Sequence, residues 1–112
     1  MPDISSVELV EDYVFEDLSD SSFDKQDQRE VLDDIDELEE HLVQWGRDIT
    51  DCTTILNNTT QTIYRRRQGN FRIFFVRDGD ILYCIGVGLR KRTYQRDIGK
   101  FQRRASAQLD EC

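Results

Sequence analysis

Arg65, Arg67, Arg72, Arg90, Lys91 and Arg92, with two phenols, Tyr64 and Tyr94, crowd into residues 64–94 of a 112-residue chain. Planar guanidinium forks match phosphate oxygens, and aromatic rings stack on bases. A phosphodiester is therefore the ligand that these residue types suit.

Three β-rich runs, residues 61–68, 71–77 and 81–87, must position these groups. They are separated by Gly69-Asn70 and by Asp78-Gly79-Asp80. Gly and Asn tolerate positive φ and Asp-Gly favours hairpins, so the runs are expected to fold back as an antiparallel meander. Side chains two apart on a strand share a face, which groups Ile63, Arg65 and Arg67 on one side and Tyr64, Arg66 and Gln68 on the other. Arg72 falls on the face opposite Phe71, Ile73 and Phe75, an apolar trio that needs cover. After the third run, Gly86-Val87-Gly88 is expected to release the chain into residues 89–94 and their further cations.

The cover comes from the first half of the chain. Ile4, Val7 and Leu9 give a weak strand signal at a sheet edge, and Val10, Tyr13, Val14 and Leu18 follow helical spacing. Asp24 can cap a second helix, with Asp27 placed favourably in its first turn. Its apolar face is expected to comprise Val31, Leu32, Ile35, Leu38, Leu42 and Trp45, with Gly46 as the stop. The opposite face, with Asp33, Asp34, Asp36, Glu37, Glu39 and Glu40, suits either a basic partner or plain solvation, and solvation is the simpler reading. Residues 47–60 lack periodicity and read as a connection. Residues 97–109 have helical composition, with Ile98, Phe101 and Ala105 on one face. The expected fold is α+β: a small antiparallel sheet of three to four strands, two N-terminal helices packed on one face, and a short C-terminal helix. It is read as a single domain over residues 1–112, with an acidic strand and helical half (1–60), a basic β-meander (61–96) and a C-terminal tail or helix (97–112).

Charge divides along the same line. Residues 1–60 hold 3 Lys/Arg and 18 Asp/Glu (3 − 18 = −15), and residues 61–112 hold 12 and 5 (12 − 5 = +7), giving the net −8. The local basic face, not the net charge, decides where a polyanion sits. Asp outnumbers Glu by 15 to 8 and Arg outnumbers Lys by 12 to 3, a salt-adapted style of composition. Near molar salt the Debye length shrinks to about 3 Å, so binding would rest on direct arginine contacts and stacking rather than on long-range steering. Stability against urea is expected to rise with potassium chloride; a maximum near zero salt would remove the salt-adapted reading.

Three cysteines, Cys52, Cys84 and Cys112, have no paired spacing and no nearby histidine, so neither a disulfide framework nor a zinc site is implied. Cys84 reads as a small core residue and Cys112 as a terminal thiol. The single histidine, His41, reads as a surface or half-buried helical residue. There is no apolar run long enough to span a bilayer, and the acidic N-terminus is unlike a signal peptide, so a cytoplasmic protein with no membrane partner is expected.

Tyr64-Arg65-x-Arg67-x-Gly69-x-Phe71-Arg72, an apolar strand, an Asp-Gly turn, a second apolar strand and Val87-Gly88-x-Arg90-x-x-x-Tyr94 together resemble the RelE branch of the RelE/ParE toxins. The match is close over the C-terminal half, while the N-terminal half agrees in its order of elements. The resemblance implies a toxin of a type II toxin-antitoxin system, held inactive by a cognate antitoxin, that cuts messenger RNA in the ribosomal A site. Attack by a ribose 2′-OH on the adjacent phosphate would leave a 2′,3′-cyclic phosphate and a 5′-OH, with no metal or other cofactor required. Arg72, Arg90, Tyr94 and Lys91 fall on or beside positions implied to be catalytic, and Arg65, Arg67, Arg92 and Tyr64 on the RNA-binding surface. Arginine cannot take the 2′-OH proton because its pKa lies above about 12. Family members often carry lysine where this chain has Arg65 and Arg67, so the base is open between Tyr94, whose phenolate the neighbouring cations would favour, and Lys91. Two other readings stand beside this one: a non-catalytic, ParE-like inhibitor, and a degenerate relative serving as an RNA-binding or interaction module.

Overall fold

Gly69 (φ +55°) and Gly79 (φ +62°) turn the basic half of the chain back on itself twice, as left-handed turn positions require. The computed structural model describes residues 4–56, 59, 61–89 and 98–110. Arg90, Lys91, Arg92, Tyr94 and Cys112 lie outside the described residues.

The meander comprises β3 (Tyr64–Gln68), β4 (Phe71–Asp78) and β5 (Ile81–Leu89). Ahead of it come β1 (Ser6–Leu9), α1 (Glu11–Leu18), α2 (Lys25–Glu39, continued by a π turn over Glu40–Gln44), α3 (Ile49–Cys52) and β2 (Thr54–Ile55); α4 (Ile98–Asp110) follows. The sheet order is β1-β5-β4-β3-β2. The antiparallel expectation of three to four strands is therefore corrected to a mixed sheet, of five strands among the described residues, because β1 pairs with β5 in parallel. A parallel pair needs a long connection, and the chain supplies it by leaving β1 through α1, α2 and α3 to the opposite edge, β2, and returning through β3 and β4 to β5. The run read as a connection also holds α3 and β2, elements of four and two residues that are too short to show a period. The third meander strand does not release at Gly86 but stays paired to Leu89, opposite Phe71.

Helix α2 begins as its sequence demands. The Asp27 N–H donates to Asp24 Oδ1 at 2.7 Å, and the Asp24 N–H donates back to Asp27 Oδ2 at 3.1 Å, a reciprocal cap that satisfies two orphan donors. Its last turn departs from expectation. Trp45 is 60% exposed rather than part of the apolar face. Its N–H reaches back five residues to Glu40 O at 3.1 Å, and this wider π turn rotates the end of the helix off the stripe. Trp45 stacks instead on the half-buried His41, with ring centroids 4.5 Å apart.

Helices cover both faces of the sheet. On one, Phe71, Ile73, Phe75, Leu82, Cys84 and Val87 join Val14 and Leu18 of α1 and Val31, Ile35 and Leu38 of α2. On the other, Ile63, Phe74, Val76 and Ile85 join Phe101 and Ala105 of α4, with the Phe74 and Phe101 rings stacked at 4.2 Å. Helices on one face alone would have left Phe74 and Val76, both fully buried, open to water. Burial also pushes the Cys84 thiol up to about 12, which keeps it an inert core group. At the sheet margin the Val7 N–H donates to Glu39 Oε2 at 3.0 Å, covering a β1 edge that would otherwise offer a pairing surface.

Candidate nucleic-acid interface

The alternation expected of β3 and β4 is present, and it gathers three guanidinium groups at the hairpin end of one face. Arg67 pairs across the ladder with Arg72, and Arg65 with Phe74. Arg65 and Arg72 are 8% and 7% exposed, whereas Arg67 is open to solvent. Arg72 is aimed by its own turn: its Nη1 donates to Phe71 O at 2.8 Å and to Gly69 O at 3.0 Å. Burial, and then the charges of Arg67 and Arg72, hold the Arg65 guanidinium below its ordinary pKa. Three cations gathered in one corner favour an anion beside them, and guanidinium forks fit phosphate oxygens. The arrangement can therefore bind and polarise a phosphodiester.

Other residues of the meander lie elsewhere. Arg66, on the opposite face, forks onto Asp34 through Nε–Oδ2 at 2.8 Å and Nη2–Oδ1 at 3.1 Å, and its Nη1 donates to Cys52 O at 3.3 Å. It ties β3 to α2 and α3. Tyr64 shares that face, packed half-buried against the α1/α2-side core opposite Phe75. With Gln61, Thr62, Arg77, Gly79 and Leu109 it lines a cleft of about 350 Å³ at the far end of β3. The structure thus brings Arg65, Arg67 and Arg72 together and sets Tyr64 apart from them.

Beside this cationic corner sits a buried ion-pair hub that the sequence reading missed. The Asp17 carboxylate receives Arg104 Nη1 at 2.7 Å and Nη2 at 3.1 Å, Lys100 Nζ at 3.0 Å and the Val87 N–H at 2.8 Å. Arg104 Nη1 also donates to Ile85 O at 3.0 Å, and its guanidinium lies over the Tyr13 ring at 4.7 Å. The signal was present as two violations of pattern. Asp17 falls beside Leu18 and one turn after Val14 on α1, and Arg104 one turn after Phe101 on α4, so opposite charges interrupt two apolar stripes.

The hub also explains Gly86. A Cβ there would press on Phe101 Cε1 and lie 2.6 Å from both Arg104 Nη1 and Asp17 Oδ2. Gly86→Ala is expected to lower unfolding free energy by about 1–3 kcal/mol, the usual range for an overfilled interior. Urea denaturation measures it, and an unchanged midpoint would mean that α4 gives way freely.

Among the described residues, no group of three or more His, Cys, Asp or Glu side chains could hold a metal ion, and no helix is long and apolar enough to cross a membrane. No protein-family model and no curated protein sequence matches the chain. Solved structures do. The chain is similar to a chain of the toxin-antitoxin complex RelBE2 from Mycobacterium tuberculosis, with 15% identity and a TM-score of 0.53 over 80% of this chain and 93% of that one. It is also similar to a chain of the archaeal RelE-RelB complex from Pyrococcus horikoshii OT3, with 24% identity and a TM-score of 0.52 over 78% and 96%. At these identities the likeness establishes a shared fold.

Proposed function

We propose that this chain is the toxin of a toxin-antitoxin pair and acts as a metal-independent endoribonuclease on messenger RNA, in concert with the ribosome. The observation that carries the reading is the convergence of Arg65, Arg67 and Arg72 at one end of a RelE-like sheet. Arg67, open to solvent, meets the RNA backbone first. Arg65 and Arg72, poorly hydrated and fixed, hold the scissile phosphate. As the 2′-OH attacks, the oxygens of the pentacoordinate phosphorane gain charge, and preorganised guanidinium groups favour that state over the ground state. The P–O5′ bond then breaks and the departing O5′ takes a proton from water, leaving a 2′,3′-cyclic phosphate and a 5′-OH. Arg90 is assigned to the same electrostatic task and Arg92 to backbone binding. Tyr94 is assigned as the general base, with Lys91 as the alternative. The cognate antitoxin would cover the arginine face, supplying carboxylates in place of phosphate.

Induced expression in cells, followed by mapping of messenger RNA 5′ ends, tests the proposal. New 5′-hydroxyl ends within translated regions are expected, together with growth arrest. Tyr94→Phe is expected to abolish cleavage and keep RNA binding; full cleavage by that variant would transfer the base role to Lys91. Growth arrest without new ends would replace the ribonuclease reading with a non-catalytic inhibitor. New ends in untranslated RNA alone would remove the ribosome from it.

A further inference from the structure

Strand β5 breaks its own alternation. Leu82 and Cys84 point to the α1/α2 side, and so does Val87, three residues on from Cys84. The register shows why: Phe75 pairs with Cys84 and Phe74 with Gly86, so Ile85 is an extra residue, a β-bulge. A one-residue slip moves every later side chain to the other face. Beyond the bulge, this shift is what sets Gly88 opposite Arg72 and Leu89 opposite Phe71. The geometry of the arginine corner therefore depends on the bulge staying where it is.

What holds the bulge is not the ladder alone. Its carbonyl, Ile85 O, receives Arg104 Nη1 at 3.0 Å, and the N–H two residues on, Val87, donates to Asp17 Oδ2 at 2.8 Å. The two side chains are themselves joined by two short bonds and are 6% exposed each. Gly86 lies between them with no side chain, so the buried pair seats directly on the strand backbone. A buried ion pair is weak evidence for stability, because desolvating both charges offsets most of their attraction; fixing one geometry among alternatives is its better-attested use.

We propose that Asp17 and Arg104 are positioning residues of the cationic face: by clamping the Ile85 bulge from α1 and α4, they fix the register that sets Arg72 against Gly88. Their service to RNA cleavage rests on the ribonuclease reading above. The register claim stands on the backbone contacts. Lys100, which is partly exposed, donates to Asp17 Oδ1 at 3.0 Å and supports the clamp through that carboxylate.

Asp17→Asn tests this with shape retained. The amide keeps one acceptor oxygen but turns donors toward the donors of Arg104 or Val87, so the clamp cannot be satisfied as a whole. Lys100→Met is the milder second variant and leaves both backbone contacts in place. In ¹⁵N NMR spectra of Asp17→Asn, the Arg72 Nε–Hε resonance should shift and the Val87 amide should exchange at least about tenfold faster, while α2 amides keep their protection. Lys100→Met should leave Arg72 near its wild-type position. On RNA, the kcat of Asp17→Asn should fall by up to about 10²-fold with KM little changed, the signature of misplacement rather than lost binding. Unchanged Arg72 and Val87 signals, with faster exchange confined to α1 and α4, would overturn the proposal and leave a clamp that only docks the helix. If wild-type protein cuts no RNA, the ribonuclease reading falls, and the NMR comparison still decides the positioning role.

Discussion

Asp34→Ala is expected to cost about 3–5 kcal/mol of unfolding free energy, the range seen when one partner of a buried ion pair is removed. Asp34 is 3% exposed, and its carboxylate forks onto Arg66 at 2.8 and 3.1 Å. Without it, the Arg66 guanidinium remains beneath α2, bonded to Cys52 O and only 3.9 Å from the more exposed Glu37. Glu37 is too far for a hydrogen bond and too wet to compensate. The neighbouring Asp33 is exposed, and its replacement should change stability by no more than about 0.5 kcal/mol, so the contrast isolates burial from charge. Combining Asp34→Leu with Arg66→Met should recover most of the loss, because neither desolvated charge is then left behind. A full double-mutant cycle by urea denaturation measures the coupling. Equal, additive losses from the two sites would mean that the fork contributes nothing beyond its separate parts. The outcome also bears on the functional surface. If Arg66 is a strut between β3 and the helices, its loss should weaken the fold without changing how the opposite face meets an anion.

The meander and α2 were legible because their determinants are local. Period-two alternation in β3 and β4, two glycine turns and an Asp24 cap each act over a few residues, and each appears where the sequence puts it; that Asp27 returns the bond to Asp24 was added by the structure. That same alternation put Arg65 and Arg67 on one side of β3 and Arg72 opposite the apolar trio of β4, but only the register that pairs Arg67 with Arg72 brings the three together and leaves Tyr64, read as an RNA-binding residue, on the other face. What escaped depends on partners distant in sequence. β1 has four residues, and only its pairing with Ile81–Cys84 makes it parallel. β2 has two residues, which is too few to show any period. The helix-side cover was assigned to Phe71, Ile73 and Phe75, while Phe74 and Val76 went without a partner until α4 folded back over them. Asp17 and Arg104 meet across 87 positions, and the Ile85 bulge reverses the parity that alternation assumes. Each of these could be suspected only as a local rule broken without visible compensation, which is where functional or strained sites concentrate.

Under the ribonuclease reading, Arg72→Gln is expected to lower kcat by about 10²–10³-fold, the scale for losing one preorganised donor to a developing oxyanion. KM should move far less, because the charge that Arg72 answers grows in the transition state. Glutamine keeps a planar donor but ends two bonds short of the Nη1 that reaches the Gly69 and Phe71 carbonyls, so each bond lost should cost about 0.5–1.5 kcal/mol of stability. Arg67→Gln supplies the contrast. Arg67 is open to solvent, and its removal should raise KM and reduce the slope of log affinity against log salt by about 0.7, the single-strand value for one phosphate contact, with kcat nearly intact. Removing Arg72 also takes one like charge away from Arg65, whose guanidinium is held below its ordinary pKa by burial and by Arg67 and Arg72. Arg65 stays cationic in both proteins and serves the same phosphate as Arg72. The two losses should therefore be non-additive in a cycle with Arg65→Gln, the double variant being less impaired than the product of the singles. If Arg72→Gln instead raises KM and leaves kcat intact, as an exposed phosphate contact would, the buried forks bind RNA without speeding its cleavage. The chemistry would then have to reside in residues 90–94.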